Sequence, residues 1–188
     1  MNRLFAIAVA ASLALPLVAL GALIGEQEAK LASAAVLNVP LRGYDPRDLL
    51  RGHYMLGRLD WDWEREPAPA KDAFDVDGAA CVLAADGPKP RLRFVAAWQS
   101  GDRADDDCRL MIVGRGWPRQ GSTPARFVPA SLDDGNGNVK LFVPEARATD
   151  LENLLMRRPG ALTVDLAVRP DGSAAIKALR VDGQPISR

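Results

Sequence analysis

From Leu4 to Gly25 the chain runs 22 residues without a charged side chain, in a stretch rich in Ala, Leu, Val and Ile. At about 1.5 Å of rise per residue such a helix matches a hydrocarbon core of about 30 Å, and it exceeds the apolar region of an ordinary signal peptide, about 7–15 residues long. The expectation is therefore a transmembrane anchor over residues 1–25, with an uncleaved signal as the equivalent reading. The small-residue triplets Ala19-Leu20-Gly21 and Ala32-Ser33-Ala34 leave cleavage open, although the second lies beyond Glu26, Glu28 and Lys30. Pro16 would kink such a span without vetoing it. Arg3 precedes the run while Glu26 and Glu28 outweigh Lys30 after it, so the positive-inside rule predicts a single-pass inner-membrane protein with its body in the periplasm.

That compartment is oxidising, which admits a disulfide between Cys81 and Cys108 worth roughly 3 kcal/mol; two buried thiols are the alternative. The rest of the composition excludes more than it assigns. The 24 basic and 24 acidic residues cancel without a basic cluster, so no nucleic-acid partner is expected. Two cysteines and one histidine cannot by themselves build a zinc ribbon, an iron–sulfur site or a two-imidazole centre. No metal and no cofactor is predicted.

Residues 26–35 read as a helical extension of good helix formers, and residues 36–188 as one β-rich α+β domain, mostly antiparallel, with one or two short helices. Val36–Leu41 reads as a strand, and Asp45, Pro46 and Gly52 as cap, first turn and stop of a short helix. Tyr54–Trp63 alternates like one strand with a bulge at Gly57. Ala79–Ala84 and Leu92–Trp98 form a hairpin, Leu110–Val113 a strand, and Gly116–Pro124 an exposed loop. Val139–Val143 precedes a helix that Thr149 would cap, and Leu162–Val168 pairs with Ala174–Val181 across Pro170-Asp171-Gly172-Ser173.

The run Asp45-Pro46-Arg47-Asp48-Leu49-Leu50-Arg51-Gly52-His53-Tyr54, together with Arg126-Phe127-Val128, Leu141-Phe142-Val143-Pro144-Glu145 and the Val164–Val181 region, resembles the GDYXXLXY family of membrane-anchored bacterial proteins. The naming motif appears as Gly52-His53-Tyr54-Met55-Leu56-Gly57-Arg58-Leu59, with His for Asp, Gly for Leu and Leu for the final Tyr. The resemblance implies a periplasmic domain on a single helix that accompanies a multi-spanning membrane protein. It implies no catalytic residue.

Asp45, Asp48, His53 and Tyr54 bring carboxylates, an imidazole and a phenol within ten residues, the minimum for acid–base work or ligand binding. The same residues also serve as helix cap, dipole complement and strand aromatic, with Arg47 paired to either acid. Asp134, Asn136, Asn138 and Glu145 fall at calcium-loop spacing, but Val139 stands where that loop demands Gly, so a hairpin turn is the preferred reading. No Ser stands in a Gly-x-Ser-x-Gly setting, which disfavours a membrane-anchored hydrolase. Trp61 and Trp63 read as core, whereas Trp117, flanked by Gly and Pro, reads as a partner or head-group contact. The expected function is a non-enzymatic accessory or assembly partner of an integral membrane protein, with Asp45, Arg47, Asp48, Gly52, His53, Tyr54 and Trp117 as contact candidates. The alternative is a periplasmic ligand-binding module or hydrolase using the Asp45/Asp48/His53/Tyr54 cluster.

Overall fold

A computed structural model describes residues 3–43, 54–68, 75–84, 87–96, 98 and 106–186, with the side chains of the first helix described from Ser12 onward apart from residue 31. The chain divides into two units, Met1–Ala34 and Ala35–Arg188. The first unit is one helix, α1 (Arg3–Ala32), running without interruption through Pro16 and through most of the expected extension. The expected transmembrane architecture is overturned here. Among the described residues no helix is long and apolar enough to cross a membrane. Glu26, Glu28 and Lys30 follow toward the end of α1, and the first and last of them form an i,i+4 ion pair at 2.7 Å.

The second unit is β-rich, as the alternation predicts. Its strands are β1 (Ala35–Gly43), β2 (Tyr54–Leu59), β3 (Asp62–Arg65), β4 (Val76–Ala84), β5 (Arg91–Ala96), β6 (Leu110–Trp117), β7 (Arg126–Pro129), β8 (Val139–Phe142), β9 (Leu162–Val168), β10 (Ala174–Val181) and the two-residue β11 (Gln184–Pro185), with helix α2 (Glu145–Arg157) between β8 and β9. They form two half-barrel sheets: six strands in the order β11-β10-β9-β1-β2-β8 and five in the order β3-β5-β4-β6-β7. Every pairing is antiparallel except β3 with β5. One core joins both sheets, with Leu37, Val39 and Leu41 of β1 and Leu162, Val164 and Leu166 of β9 packed in the same cluster as Val82, Leu92, Ile112 and Phe127.

The segment 54–63 departs from the single bulged strand expected of it. Gly57 stays in register, opposite Gly43 on one side and Val139 on the other. The alternation breaks instead at Asp60 and Trp61, where the chain leaves the first sheet as β2 and enters the second as β3. Such corners let two sheets share one continuous core. Two further ties hold the sheets together: Val113 N donates to Gly172 O at 2.9 Å, and Ser131 Oγ donates to Ala174 O. Gly172 lies at φ +81°, and a Cβ there would come within 2.7 Å of Val113, so the β9–β10 turn needs glycine for both reasons.

Helix α2 begins five residues earlier than Thr149 as a cap would place it, after Pro144 and with no side-chain cap. Glu145, Ala146, Arg147 and Ala148 are sound helix formers once Pro144 has ended β8, so Thr149 falls in the interior. Leu151 and Leu155 enter the core from this helix.

Candidate functional site

Two places in the domain combine shape with chemistry. The first is the corner between the sheets. The backbone turns there because Asp60 N donates to Pro40 O at 2.9 Å and Asp62 N to Pro90 O at 3.1 Å. This leaves the Asp60 carboxylate between a β1 side chain and the turn before β5, with Oδ2 at 2.8 Å from Arg42 Nε and 2.7 Å from Lys89 Nζ. A cleft of about 720 Å³ opens beside this triad, with Thr163 and Met156 on its walls. Among the described lining residues two cations face one carboxylate, a setting that attracts anions. Its rim includes Gly43, the last described residue before the segment that carries most of the predicted contacts.

Asp45, Arg47, Asp48, Gly52 and His53 all lie outside the described residues, and so does the short helix expected there. Tyr54 opens β2, its backbone opposite Phe142 of β8. The residues that the sequence groups with Tyr54 lie outside the described residues, and what is described of Tyr54 is its backbone pairing with β8.

Trp117 requires a correction. It is the last residue of β6 and only 7% exposed, not an exposed loop contact. Arg126 of β7 lies 5.6 Å above its ring, a cation–π contact, and Gly137 presses against its other atoms. A Gly/Pro-rich flank hid the strand because Gly114 and Gly116 are the places where Phe127 and Phe94 approach the β6 backbone, not breaks in it. Trp61, read as core, is core: 6% exposed, edge-on to Phe127, with Nε1 bonded to that residue's carbonyl.

The turn at 133–138 shows what its acidic residues do. Asp133 Oδ1 accepts from the N–H groups of Gly135 and Gly137, and Asp134 Oδ1 from those of Asn136 and Asn138. Asn138 Nδ2 donates to Asp134 Oδ2, while Arg58 Nε donates to Asn138 Oδ1. Burial opposes ionisation of Asp134, but the Asn136 N–H, both Asn138 donors and the charge of Lys140 outweigh it and hold its carboxyl below the usual range. The calcium-like spacing thus serves a hairpin turn built from side chain to backbone bonds.

Cys81 of β4 and Cys108 are joined by a disulfide, with their Cα atoms 5.4 Å apart. Beside it Arg93 of β5 bridges Glu64 at 2.6 Å and Asp107 at 2.7 Å, so the residue before Cys108 is tied to β5 while Cys108 itself is tied to β4.

The second place is a groove of about 810 Å³ lined by β8 and the residues that follow it on one side and by Ile176–Leu179 of β10 on the other. Phe142 stands 81% exposed at its edge. Sequence reasoning passed over this groove because Lys140, Phe142, Ile176 and Lys177 belong to two strands that are remote in sequence and meet only when the six-stranded sheet curls.

The family model described as GDYXXLXY protein matches residues 16–179 of the 188. The chain belongs to the GDYXXLXY family. No curated protein and no solved structure matches it. Within the family frame, the described part of the naming motif, Tyr54–Leu59, is strand β2 in the middle of the six-stranded sheet. Met55, Gly57 and Leu59 point into the core while Leu56 and Arg58 are only partly covered. The motif's Leu and final Tyr positions are therefore core positions. Here Leu41 and Leu141 close over Gly57, their methyl carbons 3.3 and 3.4 Å from where its Cβ would stand.

Proposed function

We propose that this chain is a non-enzymatic partner subunit of an integral membrane protein and works in the periplasm. One observation carries the reading. Leu13, Leu15, Leu17, Val18, Leu20, Leu23 and Ile24 of α1 are each between 55% and 73% exposed. At about 100° per residue these seven side chains are spread around the whole helix instead of forming one stripe. Leaving that surface in water is unfavourable by about 25 cal/mol per Å² of apolar area, so a partner of matching apolar chemistry covers it. The Cys81–Cys108 disulfide supports an oxidising compartment for the domain.

Affinity purification of the full chain from detergent-solubilised native membranes tests this, with a Leu17→Lys/Leu20→Lys variant as comparison. A single integral membrane protein recovered with the wild type and lost with the variant is the expected result. Equal recovery with both would remove α1 from the account.

A further inference from the structure

We propose that Asn136–Gly137 is a site of self-modification, at which the Asn136 side chain is converted to aspartate or isoaspartate, and that Asp133 restrains this reaction in the folded chain. The inference is independent of the partner-subunit reading.

The sequence places the reacting groups side by side. Of the five asparagines in the chain, Asn136 is the one followed by glycine, and glycine has no side chain to hinder its own nitrogen. That nitrogen, once its proton has gone to water, attacks Asn136 Cγ: an N–Cγ bond forms, the Cγ–Nδ2 bond breaks, and Nδ2 leaves as ammonia. Water then opens the five-membered imide at either carbonyl, which leaves aspartate or isoaspartate at position 136. Water is the co-reactant, and Asn136 is exposed to it.

The fold requires the glycine that makes this pair labile. Gly137 lies at φ +76°, and a Cβ there would stand 3.0 Å from the Trp117 ring. The same turn holds the attacking atom. The Gly137 N–H donates to Asp133 Oδ1 at 3.1 Å, and the carbonyl of the same peptide unit, Asn136 O, accepts from Arg126 Nη1 at 3.2 Å. Turning that peptide toward Asn136 Cγ breaks both bonds. Charge opposes the reaction as well, because a deprotonated Gly137 nitrogen would face a carboxylate.

Asp133 is itself fixed for this task. Its Oδ1 also accepts from the Gly135 N–H at 2.9 Å, its Oδ2 lies 3.6 Å from Arg115 Nη1, and its side chain is only 8% exposed. Asp134 holds the N–H groups of Asn136 and Asn138, neither of which is the attacking nitrogen. Isoaspartate at 136 would route the main chain through the former side chain and lengthen a turn that packs Gly137 on Trp117, so conversion loosens the connection between β7 and β8.

The test follows the peptide containing Asn136 by mass spectrometry while full-length protein in detergent is held at mildly alkaline pH, with aspartate and isoaspartate products separated by chromatography. Native wild type is expected to convert at least about tenfold more slowly than the same protein unfolded in guanidinium chloride, the factor that one hydrogen bond to a charged acceptor supplies. Asp133→Ala, with its circular dichroism unchanged, should convert at least about tenfold faster than native wild type. Asp134→Ala leaves the Gly137 N–H held and should stay nearer the wild-type rate. No conversion at 136 in the unfolded chain, equal rates in native and unfolded wild type, or equal rates in the two variants would overturn the proposal. The wild-type comparison needs no substitution, so it decides alone if Asp133→Ala does not fold.

Discussion

The indole Nε1 of Trp61 donates a 2.8 Å hydrogen bond to the main-chain carbonyl of Phe127. Trp61 sits at the corner where the chain passes between sheets and Phe127 in β7 of the second, so one buried bond joins the corner to the far strand. Trp61→Phe keeps an aromatic ring but strands the carbonyl, and should cost about 1–3 kcal/mol; Trp61→Ala also opens a cavity, raising the loss to about 3–5 kcal/mol. Urea unfolding monitored by far-ultraviolet circular dichroism measures both.

The disulfide closes a separation of 27 residues around β5. Its main effect is on the unfolded chain, which loses freedom when the loop is closed. Cys81→Ser/Cys108→Ser should lower stability by roughly 3 kcal/mol, and dithiothreitol should produce the same change in the wild type and none in the variant.

Gly57→Leu restores the residue of the naming motif at its place. Leu41 and Leu141 already fill that space, so the change should destabilise by about 1–3 kcal/mol through overpacking. Adding Leu141→Ala makes room, and the double variant should be more stable than the sum of its single changes predicts. Thermal unfolding of the four proteins in this cycle gives the coupling.

Stability should fall with acid. Asp134 and Asp171 are both held below the ordinary carboxyl range, the former by the turn donors that outweigh its burial, the latter by the hydroxyl and N–H of Ser173. A carboxyl whose folded pKa is depressed contributes stability above its unfolded value, near about 3.9 for Asp, and that contribution disappears as pH drops through the lower folded value. Asp134→Asn should therefore flatten the dependence of urea stability on pH below about 4 while lowering stability near about pH 7.

Much of the fold is legible in the residues. Leu162–Val168 alternates and the turn that joins it to Ala174–Val181 contains Asp-Gly, and both strands form with those bounds. What the sequence hides is set by tertiary packing. Asp60 and Trp61 continue an alternation that the chain breaks because two sheets need a corner, and the Gly114/Gly116 pair resembles a loop although large aromatic rings need that bare backbone. The groove at β8 and β10 has no local signature, because its walls are made by strands brought together from opposite ends of the sheet order. The Asp60 triad with Arg42 and Lys89 is invisible for the same reason: its three residues come from β1, the corner and the turn before β5.

What covers α1 decides the partner-subunit reading most directly. A photo-crosslinking residue placed at Leu20 of the full-length chain, activated in intact cells and followed by mass spectrometry, should yield one dominant adduct with an integral membrane protein. Adducts confined to lipid or to a second copy of the chain would contradict the partner-subunit reading.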